Sequence, residues 1–225
     1  MDFIFMLTRG DRTIEDCLEL FESIAPLGLE HVGFKDVGVS PETLKALTAA
    51  IRKTGATTYM EVVSETPEAC LRSARVAREL GIDRLLGGTQ VAEIQSILAG
   101  TSTAYFPFPG RPVGHPTKLG GSPADVEAHC RSFAAAGCAG ADLLAYRATE
   151  ADPLDLVRAA RRGLGNGHLI VAGSITTRQR IAEIAAAGAD AFTIGTAVFD
   201  GSYSPTKGSI LSQLRDVMTD SRLAA

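Results

Sequence analysis

Apolar and polar positions along this chain follow two alternating periods. Stretches with apolar residues every three or four positions, as on one face of a helix, lead to a glycine and then a short β-rich run. The glycines are Gly28, Gly55, Gly81, Gly100, Gly137, Gly165 and Gly188. Each stands where a helix would close on a left-handed residue. The pattern predicts strands over 3–8, 31–37, 57–63, 83–88, 103–108, 141–147, 168–172 and 191–195. Helices fill the intervals, over 13–26, 41–54, 67–80, 90–99, 123–136, 153–164, 177–187 and 206–219. Start signals agree: Ser40-Pro41-Glu42, Thr66-Pro67-Glu68 and Ser122-Pro123-Ala124-Asp125 are caps followed by proline at the first helical position.

Strands and helices in strict alternation, with no break in composition, predict one α/β domain over residues 1–225. Its 225 residues divide into eight units of about 28, which suits a lean (β/α)8 TIM barrel. A doubly wound sheet would need an early GxGxxG turn or a clear strand-order switch, and the first turn, 9-RGDRT, has neither.

Composition narrows the partners. Apolar content of 45% and charged content of 21% are those of a soluble globular domain. A net charge of −4 without a basic patch argues against nucleic acid. No apolar run is long enough to span a membrane. The start, 1-MDFIFMLTRGD, lacks the basic region and small-residue cleavage site of a signal peptide. Cys17, Cys70, Cys130 and Cys138 form no CxxC or Cys/His cluster. They read as buried thiols in a reducing cytoplasm, not as zinc ligands. His31, His129 and His168 are read in the same structural way.

The most informative stretch is 168-HLIVAGSITTRQRIAEIAAAGADAFTIGTAVF-199. It reads as strand, glycine turn, helix, strand and second glycine turn. Backbone N–H groups at Gly173-Ser174 and Gly195-Thr196 would then lie side by side, near a helix N-terminus, as a site for a dianion. In (β/α)8 barrels the recurring phosphate site follows strands 7 and 8. The long connection 109-PGRPVGHPTKLGGS-122, with Arg111, His115 and Lys118, reads either as a lid over an anionic ligand or as a solvated surface loop.

With VAGSI at 171–175, AAAGAD at 185–190 and FTIGTAVF at 192–199, the chain resembles the ribulose-phosphate-binding (β/α)8 barrels. That group includes isomerases of histidine and tryptophan biosynthesis, indole-glycerol-phosphate synthase and N-acetylmannosamine-6-phosphate epimerase. The resemblance implies phosphate contacts from Gly173, Ser174, Gly195 and Thr196. It does not select a reaction, because one such fold hosts many. Departures exclude several subfamilies. The two-His, two-Asp metal set of the pentose-phosphate epimerases, the paired aspartates of the histidine-pathway isomerases and the Asp-x-Lys-x-x-Asp signature of orotidine-phosphate decarboxylases are all missing.

Inward residues near the C-terminal strand ends carry the chemistry of a barrel. Lys35 on strand 2 and Glu61 on strand 3 lie at similar heights and can pair; Tyr59 and Val63 share the face of Glu61. The pair suits proton transfer beside a carbonyl, and a desolvated lysine can also form a Schiff base. The resembling synthase takes a catalytic lysine from strand 2. The alternative is a satisfied ion pair that braces the barrel. Tyr146 on strand 6 is a further catalytic candidate, and Arg147, Arg9, Arg111 and His115 are candidates for binding substrate. Asp36 points to the opposite face from Lys35 and reads as a loop or cap residue.

The expected function is a metal-independent lyase or isomerase on a small phosphorylated sugar or sugar acid, needing no cofactor. Alternatives are an epimerase of the N-acetylmannosamine-6-phosphate type, a non-catalytic barrel that binds a phosphorylated metabolite, and a flavin barrel using the same phosphate turns. Association into a homo-oligomer through exposed helix faces is compatible with a barrel of this size.

Overall fold

A strand that is apolar on both faces must be covered on both, and an amphipathic helix folded back over it covers one side. Repeating that step yields a parallel sheet that curls until its other face closes on itself. The computed structural model shows this arrangement over residues 1–62, 66–114 and 116–224. The parallel strands are β1 (Asp2–Met6), β2 (His31–Lys35), β3 (Thr57–Glu61), β4 (Arg84–Leu86), β5 (Ala104–Phe106), β6 (Gly140–Leu143), β7 (His168–Val171) and β8 (Ala191–Ile194). Their order is β6-β7-β8-β1-β2-β3-β4-β5. Between β5 and β6 two backbone bonds bridge the remaining seam, Ala139 N–H to the Tyr105 carbonyl and Asp142 N–H to the Pro107 carbonyl, each 3.0 Å. Pro107 has no N–H to extend the ladder there.

The helices are α1 (Cys17–Ile24), α2 (Pro41–Lys53), α3 (Pro67–Leu80), α4 (Val91–Leu98), α5 (Pro123–Ala135), α6 (Pro153–Leu164), α7 (Arg178–Ala186), the short α8 (Thr196–Phe199) and α9 (Ile210–Leu223). Three of them start where the caps predict. Ser40 and Thr66 accept from the N–H groups of Thr43 and Ala69, and Ser122 forms a reciprocal capping box with Asp125. Gly28 and Gly81 close their helices in the left-handed conformation.

Two apolar layers result. Phe5, Phe34, Met60, Leu85, Leu143, Val171 and Phe192 face outward into the helices. Ile4, Met6, Tyr59, Leu86, Phe106, Ile170 and Ala191 fill the barrel. Each large apolar side chain buried in this way contributes about 1.5–3 kcal/mol. That gain allows polar groups inside the upper barrel, where Lys35, Glu61, Asp142 and Thr193 are buried.

Several predicted boundaries are corrected. The stretch after β1 is not yet helix: Thr8–Arg9 pairs with Arg12–Thr13 in a small antiparallel hairpin. Its central residues Gly10 and Asp11 both have positive φ, as a two-residue type I′ turn requires. β6 stops at Leu143, and Ala145–Arg147 forms a 3₁₀ turn where the sequence pattern predicts strand to 147. The last helix begins at Ile210 because Ser209 caps it, leaving Pro205, Lys207 and Gly208 in the loop. The 109–122 connection contains an antiparallel hairpin, Arg111–Val113 with Lys118–Gly120. Its edge reaches the chain just beyond the 3₁₀ turn through Thr149 N–H, which donates to the Leu119 carbonyl at 2.9 Å. Among the described residues, no helix is long and apolar enough to cross a membrane.

Candidate active site

At the C-terminal mouth of the barrel is a cavity of about 270 Å³. It is lined by the turns after β7 and β8, residues 173–176 and 195–197, together with Asp11, Lys35, Glu61 and Arg147. Both turns need their glycines for space. A Cβ on Gly195 would lie 2.7 Å from the Thr8 carbonyl oxygen, and one on Gly173 would lie 2.9 Å from Cδ of Arg147. Gly173 is also left-handed, with φ of 77°. Ser174 follows it at φ of 59°, a conformation that costs a non-glycine residue on the order of 1–3 kcal/mol. Outside the cavity, Arg180 donates to the Ser174 carbonyl and so holds the turn. The amide N–H groups of Ser174 and Thr196 have no acceptor among the described residues. The Gly173-Ser174 and Gly195-Thr196 turns therefore meet in one cavity, as the sequence pattern predicts.

Lys35 and Glu61 are direct neighbours in the β2–β3 register. Lys35 Nζ lies 3.0 Å from Glu61 Oε1 and 3.1 Å from Asp11 Oδ1. Arg147 embraces the same aspartate, with Nη1 3.1 Å from Oδ2 and Nη2 3.2 Å from Oδ1. This is a two-pronged fork, the strong geometry for an Arg–carboxylate pair. Asp11 thus ties the hairpin after β1 to both cations. Burial by itself would lower the Lys35 pKa, but Glu61 and Asp11 outweigh it and hold the ammonium above its ordinary value. Burial likewise opposes ionisation of Asp11, yet Lys35 and Arg147 bring its carboxyl down to about 2. The resting lysine is therefore a cation, which suits hydrogen bonding to a developing oxyanion better than nucleophilic attack.

Deeper in the barrel lies Asp142, fully buried on β6. Among the described residues neither of its carboxyl oxygens has a hydrogen-bond partner. Burial and the nearby Glu61 push its carboxyl well above the ordinary carboxylate range, against the pull of Lys35 and Arg147.

The other candidates divide. Arg147 reaches the cavity because the 3₁₀ turn swings it inward. The same turn carries Tyr146 outward, away from the residues that line the cavity. Its hydroxyl donates to Glu183 Oε2 at 3.2 Å, its ring stacks under Arg180 at 4.5 Å, and burial with Glu183 pushes its pKa up to about 12. Arg9 does not line the cavity either; it is exposed on the hairpin, paired in register with Arg12. Arg111 is exposed and engaged 2.8 Å from Glu150, on the outer hairpin. Both arginines sit on ribbons where alternation turns them to solvent. His115 and Val63 lie outside the described residues. Asp36 contacts Ser73 on α3, away from the cavity. Asp11, which lines the cavity, and Asp142, buried inside the barrel, are ionisable groups that the strand-end reading does not select. Gly10-Asp11 carries a hairpin signal, and Asp142 is a lone acid in an apolar strand. Among the described residues no group of His, Cys, Asp and Glu side chains is arranged to hold a metal ion.

No protein-family model matches the chain, and no curated protein sequence matches it. Solved structures do. The native KDPGal structure matches with a TM-score of 0.70 at 12% identity, over 100% of this chain and 96% of that one. The BexX/CysO complex of Amycolatopsis orientalis matches at 0.65 and 18%, over 100% and 89%. Orotidine 5′-phosphate decarboxylase from Pyrococcus horikoshii OT3 matches at 0.63 and 13%, over 98% and 99%. These neighbours agree with the (β/α)8 architecture expected from the sequence. At such identities the likeness is one of fold: the chain is a (β/α)8 barrel of the kind on which these proteins are built.

Proposed function

We propose that this protein is an enzyme, a lyase or isomerase that moves a proton next to a carbonyl in a small phosphorylated sugar or sugar acid. The observation that carries this reading is the Lys35–Glu61 pair, in register on β2 and β3 and facing the same cavity as the two glycine turns. A phosphate on the amides around Ser174 and Thr196 anchors the substrate. Glu61 then takes the proton from the carbon beside the carbonyl. The Lys35 ammonium donates to the oxygen on which negative charge develops, and stabilises the enolate. Return of the proton to the neighbouring carbon, with the hydroxyl proton passing to the former carbonyl oxygen, completes an isomerisation. In a lyase reaction Glu61 takes instead the proton of a hydroxyl β to the carbonyl: that oxygen becomes a carbonyl as the carbon–carbon bond breaks, and the electron pair of the broken bond forms the enolate, which is then protonated. Arg147, placed by its bond to Asp11, offers a second anionic contact once substrate competes for it.

The bracing alternative for the ion pair predicts binding without chemistry, and one experiment separates the two. Phosphorylated sugars and sugar acids are incubated with the protein in D₂O, and exchange of carbon-bound protons is followed by NMR. The expected result is exchange confined to phosphorylated compounds, reduced about 10²–10⁴-fold in Glu61→Gln. Lys35→Ala should abolish turnover while phosphate still protects the fold against heat. Absence of exchange with every compound that binds would leave only a phosphometabolite-binding barrel. Failure of any phosphate to raise the melting temperature would remove the anion site itself.

A further inference from the structure

Lys35 and Arg147 are the cations among the described residues that line the cavity, and both are engaged. An ammonium has three N–H donors. Lys35 spends one on Glu61 Oε1 at 3.0 Å and one on Asp11 Oδ1 at 3.1 Å. Arg147 closes its fork on both oxygens of Asp11, and its Nη1 also donates to the Thr117 carbonyl at 3.3 Å. Against these cations stand the lining acids Asp11, Glu61 and Asp200. The two glycine turns add neutral amides, with no lysine or arginine among residues 173–176 and 195–197. The cavity therefore has no surplus positive charge for a second anion beside a phosphate.

Asp11 is built into its place. Its hairpin is fastened to the end of β2 at Lys35 itself. The Thr13 hydroxyl donates to the Lys35 carbonyl at 2.7 Å and accepts from the Lys35 N–H at 2.9 Å. The Thr13 N–H donates to the Val37 carbonyl at 2.9 Å. Asp11 holds φ of 60°, which glycine would take without penalty and an aspartate takes at a cost. The acid at this turn thus has a use beyond the turn: its carboxylate, 10% exposed, is aimed at both cations.

We propose that Asp11 is a specificity-determining residue: it fills the position that a carboxylate on the carbonyl end of a substrate would take, and so selects a phosphorylated sugar over the corresponding sugar acid. This narrows the proposed function and rests on its reading of the glycine turns as the phosphate seat. A neutral carbonyl oxygen needs one donor, and the third N–H of Lys35 supplies it. A carboxylate reaches Arg147 only by displacing Asp11. If both stay, Asp11, Glu61 and the new carboxylate share Lys35 and Arg147. Like charge placed in a site in this way discriminates by repulsion.

The test is a set of dissociation constants, measured by calorimetry at neutral pH. The probes are inorganic phosphate, aldose phosphates, and the aldonate phosphates of the same carbon chains. The proteins are the wild type, Asp11→Asn and Asp200→Asn. Asparagine and glycine both suit the left-handed turn, so Asp11→Gly stands in if Asp11→Asn does not fold. Asp200 lines the same cavity, and its replacement removes the same unit of charge, which corrects for a general electrostatic gain. The wild type should bind aldose phosphates about tenfold or more tighter than their aldonate partners. Asp11→Asn should narrow that ratio by about tenfold, and Asp200→Asn by much less. Equal or tighter binding of the aldonate phosphates by the wild type overturns the proposal. So does a ratio unmoved by Asp11→Asn, or moved as far by Asp200→Asn. Binding of inorganic phosphate without any aldose phosphate also overturns it, and leaves the anion site standing. If no phosphate binds at all, the anion site falls, and the proposed function and this inference fall with it.

Discussion

Ser174 is a non-glycine residue held left-handed at the lip of the cavity, where Arg180 fixes its carbonyl and its amide has no acceptor among the described residues. Strain of this kind persists where the surroundings over-determine it, often at binding sites. Ser174→Gly should therefore raise stability by about 1–2 kcal/mol, read from the urea midpoint at unchanged slope, because glycine takes this conformation without penalty. No gain would mean that the serine hydroxyl or the turn offsets the strain. Lys35 carries the opposite balance. Lys35→Met leaves Glu61 buried without its cation and Asp11 with Arg147 alone, and should cost about 3–5 kcal/mol. The double variant Lys35→Met/Glu61→Gln should recover part of that loss, since one orphaned charge is removed; strict additivity would show that the two side chains do not interact. Strand alternation alone makes Lys35 and Glu61 legible, since inward positions at strand ends are fixed by a period of two. Asp142 obeys the same alternation, but Tyr146 and Arg147 beyond it draw the eye further along a strand that in fact ends at Leu143.

Elements are legible where local chemistry is decisive. Ser122 and Asp125 satisfy each other's backbone groups at the start of α5, so Ser122→Ala should cost about 1 kcal/mol in the same unfolding measurement. A cost near zero would show that proline at the first helical position supports the start unaided. Boundaries fail where two local signals compete. The pattern of strand and helix predicts only a short connection after β1, but the Gly10-Asp11 turn inserts a hairpin and brings a carboxylate to the cavity at the barrel mouth. The Tyr146-Arg147 pair follows strand periodicity only if the strand continues. Once it becomes a 3₁₀ turn, one side chain goes in and the other goes to α7. The connection after β5 is a ribbon, not an open loop, and its Arg111 faces Glu150.

For the whole molecule, the ion cluster makes stability depend on pH. Asp11 has a folded-state pKa depressed to about 2 from an ordinary value of 3.8. An acid depressed in this way contributes stability that is present above 3.8 and is lost as pH falls toward about 2, because the unfolded chain takes up the proton first. Asp11→Asn should thus be less stable than the wild type at pH 6, with the gap closing between about pH 4 and about pH 2 in a series of urea titrations. A gap independent of pH would mean that the turn geometry, not the charge, is what Asp11 supplies. The alternation of helix, glycine and strand determined the barrel by itself, because each amphipathic helix has only its own strand to cover and the repeat leaves no face unburied. It also determined the paired glycine turns, since strand, turn and helix are adjacent in the chain. Beyond the Lys35–Glu61 pair, only the tertiary structure decided which charges meet. Asp11, Lys35, Glu61, Asp142 and Arg147 come from separate strands and turns across more than half the chain. Their meeting depends on ring closure, on strand register and on the direction of one 3₁₀ turn, and these are set by packing across the barrel, not by neighbours in sequence.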